Sequence, residues 1–158
     1  MPARRASLHK AILLPSTIYS QQATFPARLR ALTDATAFAR AFSERNRLAR
    51  DDALRLALII EELFTNTVQH GYRDETDSPV RIALGVHDGS IRILYEDWAP
   101  RYDPLARFSV APPSLEVPAG ERPAGGLGAY LVGRLVSDAR YAYEEGINRL
   151  WLTLGQVG

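Results

Sequence analysis

Several residue types that build common functional sites are scarce or absent in this chain. The 158 residues contain no cysteine, which excludes disulfides, thiol nucleophiles and thiolate metal sites. Three scattered histidines are a poor basis for a zinc cluster. The only lysine is Lys10, so we expect neither a P-loop nor an ordinary protein-kinase site, because both bind phosphate with a lysine.

Charge and hydropathy argue against binding to nucleic acid or a membrane. The formal net charge is only +1, which lacks the basic surface that a phosphate backbone requires. The apolar run in RRASLHKAILLP is too short for a signal sequence or a bilayer span. We therefore expect an N-terminal extension over residues 1–15, one domain over residues 16–158, and a cytoplasmic location, which the lack of cysteine permits.

The apolar periodicity predicts three helices and two hairpins. The first helix runs roughly from 27 to 48, with these residues facing inward: Leu29, Leu32, Phe38 and Phe42. A second begins at Asp51 or Asp52, either of which can cap it, and ends at His70 before Gly71. A third begins at the glycines of GGLGAYLVGRLV.

VRIALGVHDGSIRILYED alternates in polarity around an Asp-Gly turn, and DARYAYEEGINRLWLTL closes the chain as another hairpin. Between them, residues 99–125 are rich in proline and lack periodicity, as in a functional or disordered loop. The pattern predicts an α+β two-layer sandwich with a mostly antiparallel sheet and helices on one face.

Two polar residues lie close together on the second helix, beside its apolar face. Glu62 and Asn66 in EELFTNTVQHGY are four residues apart, so their side chains project from one stripe. By itself this spacing is most often a solvated or hydrogen-bonded pair. A functional interpretation needs other chemistry nearby.

Two further features supply such chemistry. Asp97 ends the apolar face of a strand, where a carboxylate needs a hydrogen-bond donor such as a purine amino group. It could equally bond backbone N–H groups of the turn that follows. The glycines of AGGLGAYLV precede a helix, and the first-turn N–H groups of such a helix can seat phosphate.

The order of these motifs resembles the GHKL ATPase superfamily, and within it the stand-alone bacterial anti-sigma-factor serine kinases. EELFTNTVQHGY resembles the N box, EDWAPRYDP the G1 box, and GGLGAYLV the G2 box. The G1 box departs from the D-x-G-x-G of the wider superfamily, because Ala99 and Arg101 replace its glycines.

The resemblance implies a homodimeric kinase that binds ATP or ADP with Mg²⁺ in the Bergerat fold. Glu62 would be the catalytic base and Asn66 the Mg²⁺ ligand, while residues 104–124 would form a lid offering Arg107 or Arg122 to the γ-phosphate. The implied nucleotide contacts are Asn66, Asp97, Ala99, Gly125, Gly126, Leu127, Gly128 and Arg122. The implied partners are a sigma factor and an anti-sigma antagonist with the sulfate-transporter/anti-sigma-antagonist (STAS) fold.

Three functions remain open from the sequence. The first is a serine kinase that sequesters a sigma factor and phosphorylates its antagonist. The second is a nucleotide-dependent binding switch without phosphoryl transfer, and the third is a domain that binds no nucleotide. The presence of Glu62 favours the first over the second, since a switch needs no base beside its metal ligand.

Overall fold

A computed structural model of the chain describes residues 18–110 and 126–155. Five antiparallel strands form one sheet in the order β1-β2-β3-β5-β4. The strands are β1 (Gln21–Pro26), β2 (Pro79–His87), β3 (Ser90–Asp97), β4 (Val136–Glu144) and β5 (Ile147–Leu154). The helices are α1 (Leu32–Arg45), α2 (Arg50–Asn66), α3 (Leu105–Phe108) and α4 (Gly126–Leu135). The predicted α+β class is confirmed.

The two faces of the sheet differ in polarity. Alternate residues of β2 and β3, such as Ile82 and Ile93, are fully buried in the core formed with α1 and α2. On the opposite face Glu96 forms ion pairs with Arg81 and Arg149, at 2.7 and 2.9 Å. Helices therefore cover one face, and charged side chains pair on the other.

The first predicted helix is shorter than expected. A 3-10 turn over Leu29–Ala31 precedes α1, and the side chain of Leu29 is 41% exposed, so its inward placement was wrong. The inward face of α1 is formed largely by small residues, Ala35 and Ala39, together with Phe42. Small side chains allow α1 to lie close to its neighbours.

The second predicted helix contains a change of helical type. Helix α2 ends at Asn66, and a π-helical turn over Thr67–Gly71 follows it, closed by a 2.8 Å bond from the N–H of Tyr72 to the carbonyl of Thr67. No side chain caps the start of α2, so the predicted aspartate cap was wrong. Asp51 and Asp52 lie in the first turn instead, where the helix dipole favours them.

Both predicted hairpins are confirmed. In the turn between β2 and β3, Asp88 and Gly89 have φ values of 51° and 74°, as a two-residue primed turn requires. The predicted proline-rich loop contains the short helix α3, whose Leu105 N–H donates to the Asp103 carboxylate at 2.9 Å. The remainder of that loop over 111–125, and the extension over 1–15, lie outside the described residues.

None of the helices in the described ranges combines the length and the apolar character that a membrane span requires.

Candidate functional site

The three motifs meet at one end of the sheet, beneath the helices. Asp97 is the last residue of β3, Asn66 is the last residue of α2, and Glu62 lies one turn earlier on α2. Asn66 and Asp97 line the same small cavity, of about 20 Å³, together with Tyr95, Tyr102 and other residues. Period-two alternation along β3 directs Asp97 to the helix-covered face, where it is 1% exposed.

Asp97 accepts hydrogen bonds from four groups of the protein. Its Oδ1 accepts from the backbone N–H of Ala99 at 3.1 Å and from the amide of Asn148 at 2.9 Å. Its Oδ2 accepts from the hydroxyls of Tyr102 at 2.9 Å and Thr67 at 3.1 Å. These bonds offset the cost of burying the carboxylate. Asp97 therefore both holds the turn that follows β3 and lines the cavity.

Asn148 joins the end of β3 to the loop that follows it. It lies opposite Asp97 in the β3–β5 register, and its amide also donates to the carbonyl of Ala99 at 2.9 Å. Its Oδ1 accepts from the N–H of Tyr102 at 3.2 Å and from the Tyr141 hydroxyl at 2.6 Å. No sequence motif indicated Asn148, because its place opposite Asp97 is set by the pairing of β5 with β3.

Glu62 lies directly against the first turn of α4. A Cβ added to Gly128 would overlap Oε2 and Cδ of Glu62 and lie 2.9 Å from its Oε1. Only a glycine allows this close approach. The predicted base and one of the predicted phosphate-seating glycines are therefore adjacent.

The amide of Asn66 has no partner in the described part of the chain. The residue is 8% exposed, and within residues 18–110 and 126–155 its side chain makes no hydrogen bond. Its amide atoms are not among the fully enclosed unpaired atoms of these ranges, and the residue lines the cavity. Asn66 thus offers an accessible oxygen one turn from Glu62.

Burial changes the titration of several side chains at the site. It raises the pKa of Glu62, and the neighbouring charge of Glu61 raises it further. Burial also raises the pKa of Tyr95 and Tyr102 well above the usual range, so both hydroxyls keep their protons. The pKa of His70 is lowered by burial and by Arg107, which favours a neutral imidazole.

The other predicted contact residues have varied surroundings. Ala99 is 1% exposed and does not have a positive φ, so alanine takes the place of the family glycine without backbone strain. Leu127 in α4 is 41% exposed, and Gly126 begins that helix. Gly125 and Arg122 lie outside the described residues.

Trp98 and Arg107 both lie near the ends of the site. Trp98 lies under the Arg81 guanidinium, 5.6 Å from the ring centroid, and Arg81 belongs to the charged face of the sheet. Trp98 is therefore not among the residues lining the cavity. Arg107 lies on α3, close enough to His70 for their charges to interact.

Known proteins share both the sequence pattern and the fold. Residues 25–154 match the histidine kinase-like ATPase domain family. The chain is 29% identical over 109 residues to the serine-protein kinase RsbW of Bacillus cereus (strain AH187), covering 68% of each chain. It is 30% identical over 109 residues to RsbW of Bacillus thuringiensis (strain Al Hakam), again covering 68% of each.

Two solved structures have a similar fold. The structure of the RsbU and RsbW domains of Rv1364c from Mycobacterium tuberculosis matches 84% of this chain, with a TM-score of 0.59 and 21% identity. The match spans 31% of that longer chain. The SiaB–SiaC complex from Pseudomonas aeruginosa matches 92% of this chain and 94% of the other, with a TM-score of 0.64 and 11% identity.

At these identities the solved structures show the shared fold alone, whereas the sequence match extends over most of the chain. The chain therefore belongs to the histidine kinase-like ATPase domain family, and this membership implies a site for ATP.

Proposed function

We propose that this protein is an ATP-dependent serine kinase that phosphorylates an anti-sigma antagonist and sequesters a sigma factor. The observation that carries the proposal is the contact of Glu62 with Gly128 in the first turn of α4. It brings a carboxylate to the helix N-terminus that would seat the phosphates. A protein that only bound nucleotide would not need a base there.

The described residues offer chemical groups that suit a nucleotide and a metal ion. The unpaired amide oxygen of Asn66 suits a hard cation such as Mg²⁺, which takes few protein ligands beside phosphate oxygens and water. The first turn of α4 has N–H groups that suit the phosphates. The buried Asp97 suits a purine amino group, which is a hydrogen-bond donor.

In the proposed reaction a serine Oγ of the partner attacks the γ-phosphorus of ATP. The bond from that phosphorus to the bridging oxygen breaks, and ADP leaves with the electron pair. Glu62 takes the proton of the serine hydroxyl, and its raised pKa makes it a stronger base than an ordinary glutamate. A bound Mg²⁺ would supply neutralisation of the phosphate charge.

Phosphate transfer to a candidate antagonist tests the kinase assignment. Purified protein is incubated with labelled ATP, Mg²⁺ and a STAS-fold antagonist, and the label on the antagonist is measured. Glu62→Ala should lower the transfer rate about 100-fold or more while ADP affinity stays largely intact. The exposed neighbour Glu61 provides the matched control, and Glu61→Ala should transfer normally.

Asn66→Ala separates metal binding from base chemistry. It should weaken Mg²⁺-dependent nucleotide binding and transfer together, because it removes the free oxygen at the site. Transfer at the wild-type rate by Glu62→Ala would show that the base lies elsewhere. ADP-dependent capture of a partner with no transfer would instead indicate a binding switch.

The proposed partners and assembly come from the resemblance to anti-sigma-factor serine kinases, and the likeness to the serine-protein kinase RsbW supports a protein substrate. We propose a cytoplasmic homodimer, built from the domain over residues 16–158, for which sigma factor and antagonist compete.

A phosphoserine carries about −1.5 to −2 charges and would face the ADP phosphates and Glu62, so the phosphorylated antagonist should dissociate. Pull-downs with sigma factor, antagonist and its serine-to-aspartate form test this. Equal binding of both antagonist forms would contradict partner switching.

A further inference from the structure

The protein itself bonds to both carboxylate oxygens of Asp97. An ionised carboxylate has about four lone-pair sites. The N–H of Ala99 and the amide of Asn148 bond to Oδ1, and the Tyr102 hydroxyl bonds to Oδ2. The Thr67 hydroxyl also lies within reach of Oδ2, but its single proton can go instead to the Leu63 carbonyl. A purine amino group that approaches Oδ2 therefore competes with the Tyr102 hydroxyl.

Three of the four donors are held in place by other parts of the fold. The N–H of Ala99 belongs to a buried backbone turn, and Asn148 also holds the carbonyls of Ala99 and Pro100. Thr67 sits in the π-helical turn, with its hydroxyl also 3.0 Å from the carbonyl of Leu63. Tyr102 differs, because its bond to Asp97 is made by the tip of a long side chain, which can turn while Asn148 still holds the Tyr102 backbone N–H at 3.2 Å.

The Tyr102 side chain also narrows the space beside Asp97. Tyr102 lines the cavity there, whose volume is about 20 Å³. A cavity of this volume is small for a purine. The same side chain thus limits access both to the hydrogen-bond acceptor and to the space around it.

The absence of a side chain at Gly71 leaves room for the Tyr102 ring. A Cβ on Gly71 would lie 2.9 Å from Cε1 and 3.3 Å from Cζ of the ring, so a larger residue would press on it. The hydroxyl at the far end lies 2.9 Å from Asp97 and 3.0 Å from Thr67. The ring is therefore held at its edge by packing and at its tip by hydrogen bonds.

We infer that Tyr102 competes with the nucleotide base for Asp97 and sets the affinity and rate of nucleotide binding. Its hydroxyl keeps the empty pocket closed, and the ring leaves when the purine amino group replaces that hydroxyl. The inference rests on the proposed function, since it assumes that this pocket receives the base of ATP. In this inference Tyr102 controls access of the nucleotide base to Asp97, a role separate from those proposed for Glu62 and Asn66.

Calorimetry with ADP and Mg²⁺ tests the competition on the full chain. Tyr102→Phe keeps the ring and removes the hydroxyl, so the closed state loses its bond to a charged acceptor. ADP should bind about tenfold more tightly than to the wild type. Tyr141→Phe is the matched control: Tyr141 lines the same cavity, but its hydroxyl donates to Asn148 and not to Asp97. Its affinity for ADP should not increase.

Binding kinetics with a fluorescent ADP analogue provide a second measurement. In the wild type the observed rate should level off at high nucleotide concentration, because opening of Tyr102 becomes limiting. In Tyr102→Phe the rate should keep rising over the same range. Should Tyr102→Phe fold poorly by circular dichroism, Tyr102→Met also lacks the hydroxyl, and the same gains are expected from it.

The results separate the inference from the proposed function. Equal or weaker ADP binding by the folded Tyr102 variants, or an equal gain in Tyr141→Phe, would overturn the competition. ADP binding by none of the proteins, wild type included, would instead overturn the nucleotide site itself.

Discussion

Replacing Gly128 with alanine is expected to impair phosphate transfer by moving Glu62, without unfolding the protein. The added Cβ would overlap Oε2 and Cδ of the Glu62 side chain. To reach an ordinary contact distance of about 3.5 Å, the carboxylate must move by more than about 1 Å. A misplacement of about 1 Å can cost roughly 100-fold in rate, and we expect a loss of about that size.

The Gly128→Ala variant should lose activity without losing stability. Glu62 is only partly buried, so its flexible side chain can turn toward solvent. Alanine is favoured over glycine in a helix by up to about 1 kcal/mol. The melting temperature should therefore stay the same or rise slightly, as thermal unfolding would show.

A double-mutant cycle with Glu62→Ala distinguishes displacement of the base from blockage of the phosphates. Labelled-phosphate transfer and ADP calorimetry are measured for the wild type, both single variants and the double variant. Without the Glu62 carboxylate, alanine at 128 has nothing to displace, so the second substitution should cost little further rate. A wild-type transfer rate in Gly128→Ala would refute the reasoning. So would a loss of ADP affinity that is equal in both backgrounds.

Three further outcomes can be measured without a partner protein. Asp97→Asn should weaken ADP binding about 100-fold, because an amide would present a donor to the purine amino group. Asp103→Asn, in the loop that follows β3, should not weaken it. Similar ADP affinities of the two variants in calorimetry would exclude Asp97 as the base contact. The pKa of Glu62 is raised above its usual 4.5, so the folded state binds a proton more tightly than the unfolded state, and the free energy of unfolding should fall as pH rises from 4.5 through the raised pKa. Glu62→Gln should remove that fall and be more stable than the wild type at pH 7, with no difference below pH 4.5; denaturant titrations across this range that ran parallel would contradict it. Asn148→Ala should lower the free energy of unfolding by about 2 kcal/mol, since it removes bonds to Asp97 and to the following loop. Unchanged urea midpoints would show that these bonds contribute nothing net.

Regular periodicity made most of the fold predictable. The alternation in β2 and β3 and the Asp-Gly turn between them define a hairpin locally, without information from the rest of the chain. The exposure of Leu29 was not predictable in this way, because a 3-10 turn shifts it off the helical face. A one-turn helix such as α3 is too short to show a hydrophobic periodicity in the sequence, and its formation depends on tertiary packing.

The candidate site was predictable where its residues lie close together in sequence. Glu62 and Asn66 share one helix stripe, and strand alternation directs Asp97 inward. Asn148 reaches the site through strand pairing 51 residues away, a distance that spacing does not reveal. Tyr102 was missed because nothing in an irregular loop predicts which way an aromatic ring turns.

The π-helical turn over Thr67–Gly71 has a consequence for how the helix can vary among relatives. Its bond from Tyr72 to Thr67 spans one more residue than an α-helical bond does. Deleting a single residue within the turn would restore the ordinary helix and rotate everything after it by about 100°. Glu62 and Asn66 precede the turn and would keep their directions, while Gly71 would swing away from Tyr102. A one-residue gap at this place in a relative would therefore mark a protein that retains the positions of Glu62 and Asn66 but packs the loop after β3 differently.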